Sequence, residues 1–342
     1  MKAMVLNNIC DLSANKNPLI LTDLNISEPG AHEIRIKVST CGVCHTELDE
    51  IEGRTPPSQF PIVLGHQVVG KVEKRGEKAH RFEIGDRIGI AWIYSACGRC
   101  VFCKNGNENL CPEFMATGRD AHGGYAEYMI IAEKFAYPIP DIFSDSQAAP
   151  LLCAGAVGYR SLKLSCIEDT QNLGLTGFGA SAHLVLALAK HLYPHTKIYV
   201  FARSEKERIF AKELGAVWTG DSDEVVPEKL HAIIDTTPVW KPVVEALKNL
   251  KSNGRLVINA IRKESIDKQY LLNLEYHEHL WMEKEIKSVA NVTRSDVSEF
   301  LHLAAEIPIQ PEFQEYALPD ANKALIEMKE RKIRGAKVLH IG

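Results

Sequence analysis

The chain has 342 residues, of which 45% are hydrophobic, and its 40 basic and 44 acidic residues give a formal net charge of −4. This length predicts about two domains and a sizeable core. No block of one charge sign is long enough to attract a polyanion, and no apolar run approaches the roughly 20 residues that cross a bilayer. Nucleic acid and membrane are therefore poor candidate partners.

The first residues lack the apolar stretch of a secretory signal, because polar Asn7 and Asn8 follow directly on 1–6. We expect a cytoplasmic protein. Disulfides do not persist in a reducing compartment, so the nine cysteines are more readily explained by metal binding or chemistry.

The first part of the chain, to about residue 150, is rich in short β-type runs. Residues 33–38 and 68–72 are two of them, and glycine and proline separate such runs. This part also carries seven of the nine cysteines. It predicts a mostly β domain.

From residue 153 the pattern changes to apolar runs that alternate with helical periodicity. The runs are 173–176, 198–202, 232–235 and 256–258, and the helical segments include 184–189 and 206–214. This alternation is typical of an α/β doubly wound parallel sheet. A helix at 297–305 and a strand at 336–341 follow, and we expect them to return to the first domain. The predicted domains are 1–152 with 289–342, and 153–288.

Four cysteines are clustered with the spacing C-x2-C-x2-C-x7-C, at Cys97, Cys100, Cys103 and Cys111. This spacing lets four thiolates converge on one tetrahedral Zn²⁺, and a shell of four sulfurs leaves no position for a substrate. We therefore expect a structural zinc site. An iron-sulfur cluster is the alternative, since thiolates bind both.

A glycine motif of the form G-x-G-x-x-A follows the apolar run 173–176 and opens a helix. It begins at Gly177 and includes Gly179, Ala180 and Ser181. In this context it predicts a dinucleotide-binding turn, in which the backbone approaches the pyrophosphate.

The next strand ends with Ala202, Arg203 and Ser204, where NAD-binding folds usually place an acid. A guanidinium and a hydroxyl can instead meet a 2′-phosphate, so NADP(H) is favoured over NAD(H). The alternative is that Arg203 is a solvated surface charge.

Three further candidate ligands, Cys41, His66 and Cys153, are dispersed. One histidine and two cysteines suit a catalytic zinc, because three protein ligands leave a fourth position open. Taken singly, however, Cys153 reads equally well as a core thiol and His66 as a histidine in a turn.

Several strings occur in one order along the chain: CGVCHTEL at 41–48, PIVLGHQVVG at 61–70, the cysteine cluster at 97–111, GGYAEY at 123–128 and PLLCAG at 150–155, followed near the end by SVANVTRSD at 288–296 and LPDANKALIEMKERKIRGAKVL at 318–339. In the sequence and order of these motifs, the chain resembles the zinc-containing medium-chain alcohol dehydrogenases. The resemblance implies a GroES-like catalytic domain, a Rossmann cofactor domain and two zinc ions. It also implies hydride transfer between a small alcohol or aldehyde and NAD(P), in a homodimer or homotetramer.

The resemblance further implies roles for single residues. Cys41, His66 and Cys153 would hold the catalytic zinc, and Thr46 would bind the alcohol and start a proton relay. Glu47 would support His66, His45 would meet the cofactor phosphates, and Trp92 and Thr55 would line the substrate pocket. For His45 an exposed loop position, and for Trp92 plain core packing, are the alternatives.

Two positions depart from the family pattern. Gln67 replaces a glutamate that can approach the zinc, and Asp49 replaces a relay histidine of some relatives. A carboxylate can still pass a proton to solvent, so we expect an active enzyme. A zinc- and nucleotide-binding relative without turnover, or a polyol or formaldehyde-type dehydrogenase, remains the alternative.

Overall fold

A computed structural model describes residues 1–307, 309–330 and 335–342. The chain divides into two compact units: unit 1 is Met1–Cys153 with Val292–Gly342, and unit 2 is Ala154–Asn291. Among the helices of the described ranges, none has the length and apolarity that a membrane span requires.

In chain order the strands are β1 (Lys2–Leu6), β2 (Leu19–Asp23), β3 (Glu33–Val43), β4 (Ile62–Val63), β5 (Val68–Arg75), β6 (Arg87–Ile90), β7 (Ile93–Ser95), β8 (Met115–Ala116), β9 (Tyr128–Ala132), β10 (Ala136–Pro138), β11 (Asn172–Thr176), β12 (Lys197–Phe201), β13 (Trp218–Gly220), β14 (Leu230–Asp235), β15 (Leu250–Ile258), β16 (Glu285–Ser288), β17 (Phe313–Ala317) and β18 (Ala336–His340). The helices are α1 (His45–Ile51), α2 (Val101–Lys104), α3 (Asp145–Pro150), α4 (Ala156–Ser165), α5 (Ala180–Leu192), α6 (Glu205–Glu213), α7 (Lys241–Asn249), α8 (Arg294–Glu306) and α9 (Ala321–Lys329).

Unit 1 is built around a mostly antiparallel sheet with the order β10-β6-β5-β3-β18-β17, and β9 pairs with β3 outside this path. The long strand β3 is central because it pairs with β5, β9 and β18. Its alternating Ile34, Ile36 and Val38 are fully buried in the core, as expected for a strand with one face on the core. The prediction of a mostly β domain is confirmed.

The C-terminal segment completes this same sheet. Strand β18 lies antiparallel to the end of β3, with Leu339 opposite Cys41, and β17 lies parallel to β18. Helix α8 also belongs to unit 1, within Val292–Gly342. Strand β18 lies beside the end of β3, from which α1 begins.

Unit 2 contains a parallel sheet with the order β13-β12-β11-β14-β15-β16. Its central strands are buried on both faces, since β11 and β14 have almost no exposed side chain. Such continuous apolar runs are typical of strands that helices cover on both sides. Strand order reverses between β11 and β14, the position at which doubly wound folds bind nucleotides. The predicted α/β doubly wound sheet is confirmed.

Candidate metal centres and cofactor loop

The first site is organised where β3 ends and α1 begins. Cys44 is the N-cap of α1 and has an extended backbone, with φ −127° and ψ 164°. Its N–H donates to Glu47 Oε2 at 2.7 Å, as in a capping box, where the third helical residue reaches back to the cap. This contact fixes both the direction of the helix and the position of the Cys44 side chain.

Glu47 also meets the histidine of the site. Its Oε1 lies 2.6 Å from Nδ1 of His66, and both side chains are buried. A carboxylate at Nδ1 holds the proton on that nitrogen, so Nε2 is free to act as an electron-pair donor. Glu47 therefore contacts His66 at the ring nitrogen that lies away from Cys153.

Gly65 allows His66 to reach this position. The glycine has φ +97°, and a Cβ there would lie 2.4 Å from the ring of Tyr125. Other residues adopt such a φ at a cost, and no side chain fits against the tyrosine. The edge of the Trp92 ring system then packs on the imidazole, with ring centroids 4.9 Å apart. The imidazole is therefore fixed from two sides.

Cys153 completes the group from a π-helical turn, Leu151–Gly155, that follows α3. Its Sγ lies 3.3 Å from His66 Nε2. The donor atoms of Cys44, His66 and Cys153 all lie within 4.8 Å of one another. Zinc bonds of about 2.0–2.3 Å in a tetrahedral arrangement place ligands roughly 3.3–3.8 Å apart. The donor set and its spacing therefore fit a zinc ion.

The donor groups of this site shift one another's pKa values. A hydrogen bond from Cys153 and the nearby His66 lower the pKa of Cys44 well below its usual range, although burial opposes this. Burial alone would lower the pKa of His66, but Glu47 and Cys44 outweigh it and raise that pKa. Zinc binds thiolates and neutral imidazole, so its binding at this site would release the protons that these groups hold.

Cys41 does not belong to this group, and this corrects the sequence-based ligand set. It lies inside β3, its side chain is fully buried in the hydrophobic core of unit 1, and a Cβ on Gly65 would lie only 2.8 Å from its sulfur. Cys41 and Val43 share the core face of the strand. Cys44 follows the end of the strand, so its side chain turns toward His66.

The remaining predicted residues of α1 take different positions. Thr46 is buried, with its hydroxyl 3.6 Å from Cys44 Sγ, and His45 is exposed at the first position of the helix. Asp49 is buried and accepts a hydrogen bond from Arg54 Nε at 2.6 Å. The guanidinium therefore already compensates the carboxylate that the sequence predicted as a relay group.

The two predicted pocket residues differ in their surroundings. Trp92 is almost fully buried, and the guanidinium of Arg119 lies over its ring at 5.6 Å. Thr55 is half-buried, and its hydroxyl has no hydrogen-bond partner among the described residues. Trp92 is thus a buried residue that also packs against the candidate ligand His66.

The four clustered cysteines form a second group of donors, within 4.8 Å of one another. Cys97 and Cys103 sulfurs are 3.9 Å apart. Backbone N–H groups point at the sulfurs, for example Cys100 N to Cys97 Sγ at 3.4 Å and Glu113 N to Cys111 Sγ at 3.3 Å. Backbone donors at Arg99 and Cys100 lower the pKa of Cys97 to about 6. This shell of sulfurs fits a zinc ion without an open position.

In unit 2 the glycine motif forms the turn between β11 and α5. Gly177 has φ +75°, and a Cβ there would meet the Thr236 hydroxyl at 2.9 Å, whereas a Cβ on Gly179 would meet nothing within 4 Å. Gly179 is the N-cap of the 13-residue α5, which begins at Ala180 and continues with half-buried Ser181. The side chain of Ala180 lies outside the described part of the chain.

The loop after β12 carries the residues predicted to select the cofactor. Ala202 is buried, and Arg203 and Ser204 are exposed. Arg208, which the sequence did not single out, turns back from α6 and donates to the carbonyl of Ala202 at 2.8 Å and to that of Arg203 at 3.2 Å. The loop therefore contains one guanidinium group, that of Arg203, and is contacted by a second, that of Arg208.

One signal in the sequence could have identified Cys44. The pattern Cys44-x-x-Glu47 before an apolar helix is a capping box with cysteine as the cap, and it separates Cys44 from Cys41. No comparable signal marks Arg208, because an arginine in an exposed helix is usually solvated.

The comparisons with known proteins agree with this geometry. Residues 30–141 match the family model described as the alcohol dehydrogenase GroES-like domain. A protein of Mycobacterium tuberculosis described as probable alcohol dehydrogenase AdhA is 39% identical over 329 residues, which cover 95% of this chain and 93% of that protein. The crystal structure of an NAD-dependent alcohol dehydrogenase is similar at TM-score 0.87 and 23% identity, with 100% of both chains covered. A cobalt- and zinc-bound thermostable alcohol dehydrogenase from Pyrobaculum aerophilum is similar at TM-score 0.83 and 22% identity, with 99% of both chains covered.

The chain therefore belongs to the zinc-containing medium-chain alcohol dehydrogenase family. It is an oxidoreductase that uses zinc and a nicotinamide cofactor on small alcohols or aldehydes.

The two glycines of the cofactor turn should respond differently to the same change. Gly177→Ala should lower the free energy of unfolding by at least about 1 kcal/mol, because alanine is strained at this φ. Gly179→Ala should leave stability unchanged but weaken dinucleotide binding, because its Cβ occupies the space that a pyrophosphate approaches. Chemical unfolding and fluorescence titration with NADPH measure the two effects. Equal stability losses would contradict this division.

Replacing Cys44 and Cys41 separately should distinguish ligand from core thiol. Cys44→Ser should remove one zinc per chain and abolish turnover in a folded protein. Cys41→Ser should keep that zinc and cost about 1–3 kcal/mol of stability, since it buries a hydroxyl without a partner. Elemental analysis and thermal melting give both answers. Loss of zinc from Cys41→Ser with full retention in Cys44→Ser would restore the original assignment.

Proposed function

We propose that Cys44, His66 and Cys153 hold the catalytic zinc of an alcohol dehydrogenase that acts on primary or secondary alcohols, or on the matching aldehydes and ketones. The observation that carries this proposal is the arrangement of His66: Glu47 occupies Nδ1 at 2.6 Å, and Nε2 faces the two thiol sulfurs. Three protein ligands leave one position for an alcohol oxygen. When bound there, zinc lowers the pKa of the alcohol and favours hydride transfer to the nicotinamide.

The chain's own residues position the substrate and its proton. The Thr46 hydroxyl, 3.6 Å from Cys44 Sγ, is placed to accept the proton of an alcohol beside that sulfur. Asp49, in the same helix, would receive the proton further along, and Arg54 Nε holds this carboxylate in place by donating to it at 2.6 Å. Glu47 holds the imidazole, and His45 is exposed and available to a phosphate.

A second zinc is proposed for Cys97, Cys100, Cys103 and Cys111. Backbone N–H groups directed at Cys97 and Cys111 support thiolates at these positions. This ion would stabilise the loop that carries it, since the segment 97–111 has only the short helix α2 and one 3₁₀ turn of its own.

NADP(H) is the proposed cofactor. The loop after β12 has no acid at Ala202, and it presents Arg203 with Ser204, the N-cap of α6. Arg208 donates to two carbonyls of this loop, which brings a second positive charge to it. A 2′-phosphate gains from guanidinium groups and from a helix N-terminus. The turn Gly177–Gly179 would take the pyrophosphate.

We further propose that residues 1–152 with 289–342 form the catalytic domain and that residues 153–288 form the cofactor domain. The chain is proposed to assemble as a homodimer or homotetramer. The support for assembly is β16, an exposed edge strand of the unit 2 sheet, since such an edge offers unpaired backbone groups to another chain.

Metal content and turnover test the proposal together. The purified protein should contain two zinc ions per chain and should change NAD(P)H absorbance with a panel of small alcohols. Cys103→Ser should lose one zinc and melt about 10 °C lower, if roughly 5 kcal/mol of zinc-coupled stability is lost at about 2 °C per kcal/mol. Cys10→Ser, outside both groups, is the matched control. Two zinc ions without turnover on any alcohol would favour a binding protein instead.

Arg203→Ala should weaken NADP(H) binding roughly 10-fold or more, the value of a charged hydrogen bond, and should leave NAD(H) binding nearly unchanged. Lys212→Ala, at the other end of α6, is the control that removes an equal charge. Kd values from fluorescence titration with both cofactors are the measurement. An equal effect of Arg203→Ala on the two cofactors would remove Arg203 from the phosphate site.

A further inference from the structure

Glu50 is a buried carboxylate to which the reaction described above assigns no role. It lies in α1 with no exposed surface, and neither carboxylate oxygen has a hydrogen-bond partner within the described residues. An unpaired buried carboxylate costs several kcal/mol of folding free energy. A fold that retains one needs a positive charge close to it, or keeps the group neutral.

The helix places Glu50 beside the first metal group. Cys44, Glu47 and Glu50 are spaced by three residues, so they follow one ridge along α1. Cys44 is the cap of the helix, and Glu47 contacts His66. Glu50 interacts electrostatically with both Cys44 and His66. The carboxyl group of Glu50 therefore lies in the same buried region as the donor set and is shielded from solvent.

The nearby cations already have partners. Arg119 donates to both oxygens of Asp120, at 2.6 Å in the shortest contact. Arg54 binds Asp49 and Glu52, and His66 binds Glu47. Without a further positive charge, burial raises the pKa of Glu50 well above its usual range, and the charge of Glu47 adds to this effect.

The residue after His66 is neutral in this chain. Gln67 is buried, and its amide oxygen would lie 2.2 Å from a Cβ on Gly42, so its side chain packs against the end of β3. The family resemblance implies a glutamate at this position that can approach the zinc. Position 67 thus lacks a carboxylate, whereas position 50 has a buried one without a hydrogen-bond partner among the residues that the structure describes.

We propose that Glu50 is a further residue of the catalytic metal site, where its carboxylate faces the divalent cation held by Cys44, His66 and Cys153 and increases the retention of that cation. Glu50 supplies from α1 the charge that Gln67 does not supply from the strand side. This inference rests on the proposed function, because it requires that zinc occupies the three-ligand site.

Zinc release tests the inference in the holoenzyme without recourse to activity. Glu50→Gln should release the catalytic zinc to a chromogenic chelator about 10-fold faster or more, the usual effect of losing a group that supports metal ligands. Release of the zinc held by the four clustered cysteines should not change, so it serves as an internal control. The double variant Glu50→Gln/Gln67→Glu should regain slow release, since it returns a carboxylate to the site.

Glu52→Gln is the matched control. Glu52 lies two residues further along, but Lys329 and Arg54 bind it, so its replacement should lower the melting temperature without changing zinc release. The absorption spectrum of cobalt-substituted protein should shift in Glu50→Gln and not in Glu52→Gln.

Catalytic zinc release within twofold of wild type in Glu50→Gln would overturn the inference and leave the proposed function intact. A wild-type protein that binds only one zinc, with the cysteine cluster occupied, would overturn the proposed function and this inference with it. Unchanged melting and circular dichroism would show that faster release in Glu50→Gln is not a folding defect.

Discussion

The first site depends on one carboxylate, that of Glu47, which contacts both Cys44 and His66. One oxygen accepts the N–H of Cys44 and so determines where β3 becomes α1. The other lies against His66 Nδ1 and so determines which imidazole nitrogen faces the sulfurs. Helix capping and ligand orientation are therefore coupled, since loss of this carboxylate would release both ends of the site. The side chain of Glu47 is long enough to make both contacts.

The supporting structure explains why these groups can converge. Strand β3 is held on both sides by β5, β9 and the returning strand β18, so its end is a fixed point. Gly65 then lets the chain pass against Tyr125 and present His66. Cys153 follows from a π-helical turn, a local irregularity that is frequent at functional sites. Each of the three donors thus comes from an element whose position the core of unit 1 determines.

Sequence reasoning was sufficient where periodicity or spacing carried the information. The alternation of apolar runs and helices predicted the parallel sheet of unit 2, and the spacing of the cysteines at 97–111 predicted that four sulfurs converge. It failed at Cys41, because two cysteines three residues apart offer the same chemistry to a reader of the sequence. Only the end of β3 decides between them: Cys41 still points into the core, and Cys44 has left the strand. Arg208 could not be predicted, since its carbonyl partners depend on how α6 returns toward β12.

The acidic residues of α1 show most clearly what could not be predicted from the sequence. Glu47, Asp49 and Glu50 lie within four consecutive positions and would be read together as a solvated charge run. In the fold, Glu47 contacts His66, Asp49 is bound by Arg54, and the carboxyl oxygens of Glu50 have no hydrogen-bond partner in the part of the chain that the structure describes. These differences arise because successive helical residues point about 100° apart, so each carboxylate enters a different environment. The surroundings of each carboxylate therefore depend on the face of α1 on which it lies, and one turn of this helix places the first against His66, the second against Arg54 and the third in the buried interior.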